Sequence, residues 1–168
     1  LGNYFIEDIT IDQVVRGDAG APISIVWSAG NMRSTGSQYC GSIGWTYNTI
    51  DPLASSKNVI AVVAVISNDN SMTTFSSWGP TDDGRIKPDI CAPGCQIGGD
   101  NGVTSTKLTS GYTVLCGTSM AAPVVSGVIA LMKQRWNQLL PSDGLLPSTI
   151  KGILINSATD RGNVGPDF

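Results

Sequence analysis

The chain has 168 residues, enough for one domain with a core of its own. Charged residues make up 14% and apolar residues 41%, with a net charge of -3, so a weakly acidic chain without a basic run offers no footprint for nucleic acid. No apolar stretch reaches the ~18 residues of a membrane span. The longest apolar runs, Val59–Ile66 and Val124–Met132, suit buried elements.

Along the chain, Glu7–Val15 sets Ile9, Ile11, Val14 and Val15 among polar residues and predicts a short amphipathic helix. Ile23–Trp27 is β-branched and apolar and predicts a buried strand, which stops at the small residues Ser28-Ala29-Gly30 and Asn31. Met32–Ser56, rich in Gly, Ser, Thr and Asn with Tyr39, Trp45 and Tyr47, has no period and reads as a long loop of the kind that carries function. Val59–Ile66 is apolar on both faces, as a parallel strand covered on both sides should be.

Lys87–Gly94 reads as a short strand ending in a tight turn. Gln96-Ile97 and Tyr112–Cys116 predict two arms of a hairpin around a polar, Gly-rich tip. Ser119–Trp136 is the clearest helix, with Pro123 in its first turn and apolar residues around most of its circumference, so it is expected to be central and buried. A last helix is expected from Pro147 or Ser148 to Ala158, with Ser148 as N-cap and Ile150, Ile153, Leu154 and Ile155 as its apolar stripe. Strands alternating with helices predict an α/β domain, a three-layer sandwich with a mainly parallel sheet.

Cys40, Cys91, Cys95 and Cys116 allow three fully paired connectivities. None forms a CxxC pair, and with no histidine in the chain a zinc site would need Cys or carboxylate ligands alone, so thiols or disulfides are expected and no metal site. No signal peptide is visible at Leu1, the first residue is not Met, and Gly162–Phe168 lacks a natural stop, so both ends read as cut from a longer protein.

The segment with the most chemistry is Gly117-Thr118-Ser119-Met120-Ala121-Ala122-Pro123. Acyl transfer by serine needs a nucleophile, a base and donors for the oxyanion. Ser119 falls at the N-terminus of a helix, where a free N–H and the positive end of the dipole favour a developing negative charge. A lone serine there reads first as an N-cap. Its neighbours change that reading.

Gly117–Pro123, followed by Val125-Ser126-Gly127, resembles the nucleophile signature of the subtilisin-like serine proteases, the subtilases, with Val124 where that family commonly has a non-catalytic histidine. Ser28-Ala29-Gly30-Asn31 is similar to the family's segment that carries the oxyanion asparagine. Phe75–Pro80, Lys87–Gly94 and Ser56–Val62 resemble three further family segments, all in family order. Leu1-Gly2 is similar to the end of the strand that lines the substrate cleft. The resemblance spans nearly the whole chain and implies a subtilisin-like fold, incomplete on its N-terminal side, with residues 1–168 as the C-terminal portion of a catalytic domain.

By the same resemblance Ser119 is the nucleophile and Asn31 the oxyanion donor, while Leu1, Gly2, Ala29, Gly30, Gly117 and Thr118 shape the substrate site. The implied substrate is a peptide or protein and the implied location is secreted or at the cell surface. No cofactor is identifiable, though calcium is frequent in the family. The family's catalytic Asp and His precede its Asn and Ser segments, and this chain has neither of those segments and no histidine. Lys57, Lys87 and Lys107 have ordinary loop or surface readings and none is placed as a base. The chain is therefore expected to be inactive alone, its partner being the missing N-terminal half, with self-association through exposed apolar faces. The competing reading is a non-catalytic relative that binds peptide or serves as a structural domain. Cys95 and Cys116 would lie across the expected hairpin, where a disulfide would brace the segment presenting Ser119. Cys91 is expected as a free thiol in a buried strand, and Cys40 has no evident partner.

Overall fold

The computed structural model describes residues 2–34, 48–99 and 101–160. The elements are, in order, α1 (Ile6–Arg16), β1 (Val26–Ser28), β2 (Ile60–Ile66), β3 (Ile90–Cys95), β4 (Val103–Thr106), β5 (Tyr112–Leu115), α2 (Thr118–Leu139) and α3 (Pro147–Ser157). Strands β1, β2 and β3 form a parallel sheet in that spatial order, and β4 pairs antiparallel with β5. This is the expected α/β architecture.

Every residue of β2 is buried. One face of the sheet (Ile60, Val62, Ala64, Ala92) packs on Ala121, Val125 and Ile129 of α2 and on Ile150 and Leu154 of α3. The other face buries Ala61 and Val63 with Ala29, Ile50 and Ala54. Each fully buried Val or Ile contributes roughly 1.5–3 kcal/mol, so this double coverage of β2 is the core of the domain.

Helix α1 is set by its ends. Asp8 reaches back to accept from the Phe5 N–H at 2.8 Å, and Gly17 closes the helix at φ 89°. Asp8 and Asp12 are fully buried, which is tolerated because both are saturated with donors. Asp8 accepts from the Ser55 and Ser56 hydroxyls at 3.1 and 2.5 Å, and Asp12 from the Tyr4 hydroxyl at 2.6 Å and the Lys57 and Asn58 N–H groups at 3.0 and 2.7 Å. The two carboxylates, one turn apart, pin α1 to the segment that leads into β2.

Several expectations are corrected. The first strand is Val26–Ser28 rather than Ile23–Trp27, because the chain reaches β2 only at Ile25, whose carbonyl accepts from Ile60 N–H at 2.9 Å, and Ile23 is left exposed. The hairpin's first arm is Val103–Thr106, not Gln96-Ile97, and β3 runs through Gly94 to Cys95 without turning. Cys91 is exposed, since β3 alternates and buries Ala92 and Gly94 toward α2. Helix α2 is buried along one face only, with Val124, Val128 and Leu131 exposed, because the sheet covers just one side of it. Pro123 stands in the second turn of α2, so the Ser119 carbonyl has no amide of residue 123 to accept from. Helix α3 has Leu146 as N-cap with Pro147 at its first position, and Ser148 lies inside the helix.

Candidate active site

Gly30, Asn31, Gly117, Thr118 and the adjoining Ser119 converge at the carboxyl ends of β1 and β3, where open parallel sheets hold their ligands. The β4–β5 hairpin is an excursion from β3 to α2. It is closed at its base by the Cys95–Cys116 disulfide, with Cα atoms 4.6 Å apart, and by a hydrogen bond from Gly117 N–H to the Gly94 carbonyl at 3.0 Å. The disulfide anticipated from the sequence is thus present. Gly94 permits this approach, since a Cβ there would lie 2.6 Å from the Gly117 carbonyl oxygen and 2.6 Å from Ala64 Cβ.

Ser119 emerges exposed in the first turn of α2. Among the described residues its hydroxyl has no hydrogen-bond partner, and its N–H belongs to the first-turn donors that a helix leaves unsatisfied. Met120 and Ala121 N–H groups already bond the Gly117 carbonyl, at 3.0 and 3.3 Å.

Asn31 comes from the loop after β1. Its Oδ1 accepts from Thr118 N–H at 3.0 Å and from the Thr118 hydroxyl at 3.2 Å, and that hydroxyl accepts from Gly30 N–H at 3.3 Å. The carboxamide oxygen is therefore committed to the start of α2, so the amide nitrogen is the free end. Asn31 Nδ2 lies 3.7 Å from where a Cβ on Gly117 would stand, and Asn31 itself is exposed. Thr118 is fully buried and serves as the clamp between the two segments.

Phe75–Pro80 fixes this loop from behind. Ser77 N–H donates to the Gly30 carbonyl at 2.9 Å, and the Ser77 hydroxyl accepts from Met32 N–H at 3.1 Å. The buried Ser76 hydroxyl accepts from Ala64 N–H at 2.9 Å and ties the segment to β2. The Arg33 guanidinium stacks 3.3 Å over the Trp78 ring.

Of the remaining expected site residues, Ala29 is packed with Ile50, Ala54, Ala61 and Val63. Gly30 is buried at φ 109° with the Asp51 carboxylate against it. Gly2 is buried, donating to the Ile50 carbonyl at 2.9 Å and accepting from Asp82 N–H at 3.1 Å. Leu1 and Cys40 lie outside the described residues. Asp51 was not singled out in the sequence, where an Asp-Pro pair in a polar loop signals only a turn.

Lys87 is not near this machinery. Its buried ammonium donates to the Val59 carbonyl at 2.9 Å and to Asp89 at 2.7 Å, before the start of β2. Lys151 of α3 completes the cluster at 2.9 Å from the other Asp89 oxygen. Among the described residues no group of three or more His, Cys, Asp or Glu could hold a metal ion. No described helix is long and apolar enough to cross a membrane.

Comparison with known proteins gives the same family that the motifs suggest. The family model for the subtilase family, peptidase S8, matches residues 3–168. The chain is 37% identical over 106 residues to the C5a peptidase of Streptococcus pyogenes, covering 61% of this chain and 8% of that protein. It is 34% identical over 149 residues to the serine protease AprX of Bacillus subtilis, covering 80% of this chain and 31% of the relative. The solved structure of the prenylagaramide maturation protease PagA superposes with a TM-score of 0.71 at 25% identity, over 96% of this chain and 48% of that one. The chain thus spans less than a third of the length of these two sequence relatives and about half of the solved domain. With a family match over nearly all its length, the chain belongs to the subtilase family of serine peptidases.

Proposed function

We propose that residues 1–168 are the C-terminal portion of a subtilase catalytic domain and act in a serine endopeptidase as the part that carries nucleophile and oxyanion site. The observation that carries this reading is the orientation of Asn31: Thr118 takes its carboxamide oxygen and leaves Nδ2 free beside the segment that presents Ser119.

In this reading Ser119 Oγ attacks the carbonyl carbon of the scissile peptide bond. Asn31 Nδ2 and Ser119 N–H donate to the oxygen as it gains negative charge. A histidine takes the hydroxyl proton and returns it to the departing amine, and water then hydrolyses the acyl-enzyme with the same imidazole as base. The chain has no histidine, so the base and the aspartate that orients it come from outside these residues, and the chain alone does not cleave peptides. The exposed apolar face of α2 (Val124, Val128, Leu131) is where the histidine-bearing part docks. The Cys95–Cys116 disulfide supports a secreted or cell-surface location, because such bonds persist in oxidising compartments.

A fluorophosphonate probe tests the reading. In the complete protein Ser119 should label rapidly and stoichiometrically, and in the isolated chain it should not label above background. Failure of Ser119 to label in a folded complete protein would instead favour a non-catalytic peptide-binding or structural role.

A further inference from the structure

Ser77 is fully buried, and its hydroxyl takes no part in the chemistry described above, yet it stands against the loop that carries Asn31. Its N–H donates to the Gly30 carbonyl at 2.9 Å, and its hydroxyl accepts from the Met32 N–H at 3.1 Å. The two bonds fall on the residues just before and just after Asn31, so Ser77 brackets that position. Gly30 gives the bracket its purpose, because its backbone stands at φ 109°. A glycine in that region has no side chain to restrict its turn, so the direction in which Asn31 leaves β1 is set by hydrogen bonds.

Ser77 is itself anchored on both sides. The preceding Ser76 hydroxyl accepts from the Ala64 N–H at 2.9 Å and donates to the Ala64 carbonyl at 3.0 Å, in the middle of β2. The following Trp78 N–H donates to the hydroxyl of the buried Thr49 at 2.9 Å. Arg33 N–H donates to the Phe75 carbonyl at 3.2 Å and extends the pairing of the two segments. Position therefore passes from the core strand through Ser76 and Ser77 to the backbone around Asn31, while Thr118 holds the carboxamide oxygen at the far end.

We propose that Ser77 is a positioning residue for the oxyanion site: its hydroxyl and amide fix the peptide groups on either side of Asn31, and so fix where Nδ2 stands when charge develops on the substrate oxygen. This rests on the protease reading above. Asn31 is clamped at its tip by Thr118 and at its backbone by Ser77. A donor held at one end only is free to drift, and a displacement of about 1 Å costs on the order of 100-fold in rate.

The test is a double-mutant cycle in the complete protein, with kcat expressed per Ser119 that a fluorophosphonate labels at completion, so that unfolded protein drops out. Ser77→Ala removes the hydroxyl and leaves the amide bond to Gly30. It should lower kcat about tenfold, with KM changed less than about twofold. In an Asn31→Ala background the same substitution should cost less than about twofold, because the group it positions is gone. Ser77→Thr, which keeps the hydroxyl, should recover most of the lost kcat. If Ser77→Ala does not fold, Ser77→Cys puts a weak acceptor in the same place and should reproduce the loss. A loss that persists in full in the Asn31→Ala background, or no loss at all, overturns the positioning role while the protease reading stands. If Ser119 neither labels nor cleaves any peptide in the folded complete protein, both fall.

Discussion

At the scale of single residues, Asn31 is the position where geometry and chemistry meet. Its oxygen is occupied by Thr118 N–H and hydroxyl, so the nitrogen end is selected by elimination rather than by a bond of its own. A donor held this way costs no reorganisation when charge develops on a substrate oxygen. Asn31→Ala in the complete protein is expected to lower kcat by about 100- to 1000-fold, the loss known for removal of one oxyanion donor in subtilisin itself, with KM changed little. Equal loss in KM and kcat, or no loss, would remove Asn31 from the oxyanion role. The segments Ser28–Asn31 and Gly117–Pro123 stand out in the sequence by their resemblance to family segments, and the fold brings them together through Asn31 and Thr118. Thr118 as a clamp and Asp51 beside Gly30 could not be read there, since both depend on contacts between segments far apart in the chain.

At the scale of elements, Lys87, Asp89 and Lys151 lock the start of β3 to Val59 and α3. Two cations share one carboxylate, and the Lys87 ammonium is buried against Val59. Burial lowers the Lys87 pKa to about 8 from 10.5 despite the opposing pull of Asp89. The unfolded chain then binds more protons than the folded one between those values, so this group's contribution to stability rises with pH from about 8 to 10.5. Below that window the folded state bears the full cost of the buried charge. Tyr4 works in the opposite direction above pH 10, because burial and its bond to Asp12 raise its pKa to about 12 from 10.0. Urea midpoints measured upward from pH 8, short of the Tyr4 range, should rise, and Lys87→Met should flatten that rise. An unchanged slope in the variant would mean that Lys87 does not titrate there. The sequence made β2, α2 and α3 readable because their apolar patterns are strong. It placed the hairpin's first arm at Gln96-Ile97, whereas Val103–Thr106, with one apolar residue in four, is made a strand by its register with Tyr112–Leu115.

At the scale of the whole molecule, the apolar pattern of α2 exceeds what the described chain buries. Val124, Val128 and Leu131 follow helical spacing along the side away from the sheet, at 41%, 43% and 66% exposure. The stripe continues into an apolar groove lined by Met132, Trp136, Leu139 and Ile153. The helix is not buried all round because the described chain covers only the face that carries Ala121, Val125 and Ile129. Soluble proteins rarely leave so continuous an apolar face in water, and β1, at one end of the sheet order, adds a strand edge that invites pairing. The isolated chain should therefore self-associate. Sedimentation velocity should show mass increasing with concentration, and Val128→Lys with Leu131→Lys should reduce that association while leaving far-ultraviolet circular dichroism intact, since neither side chain is in the buried core. Adding the histidine-bearing part in trans should compete with self-association if it covers the same face. A chain that stays monomeric at all accessible concentrations would show that this face needs no partner, and the docking role assigned to it would have to be abandoned.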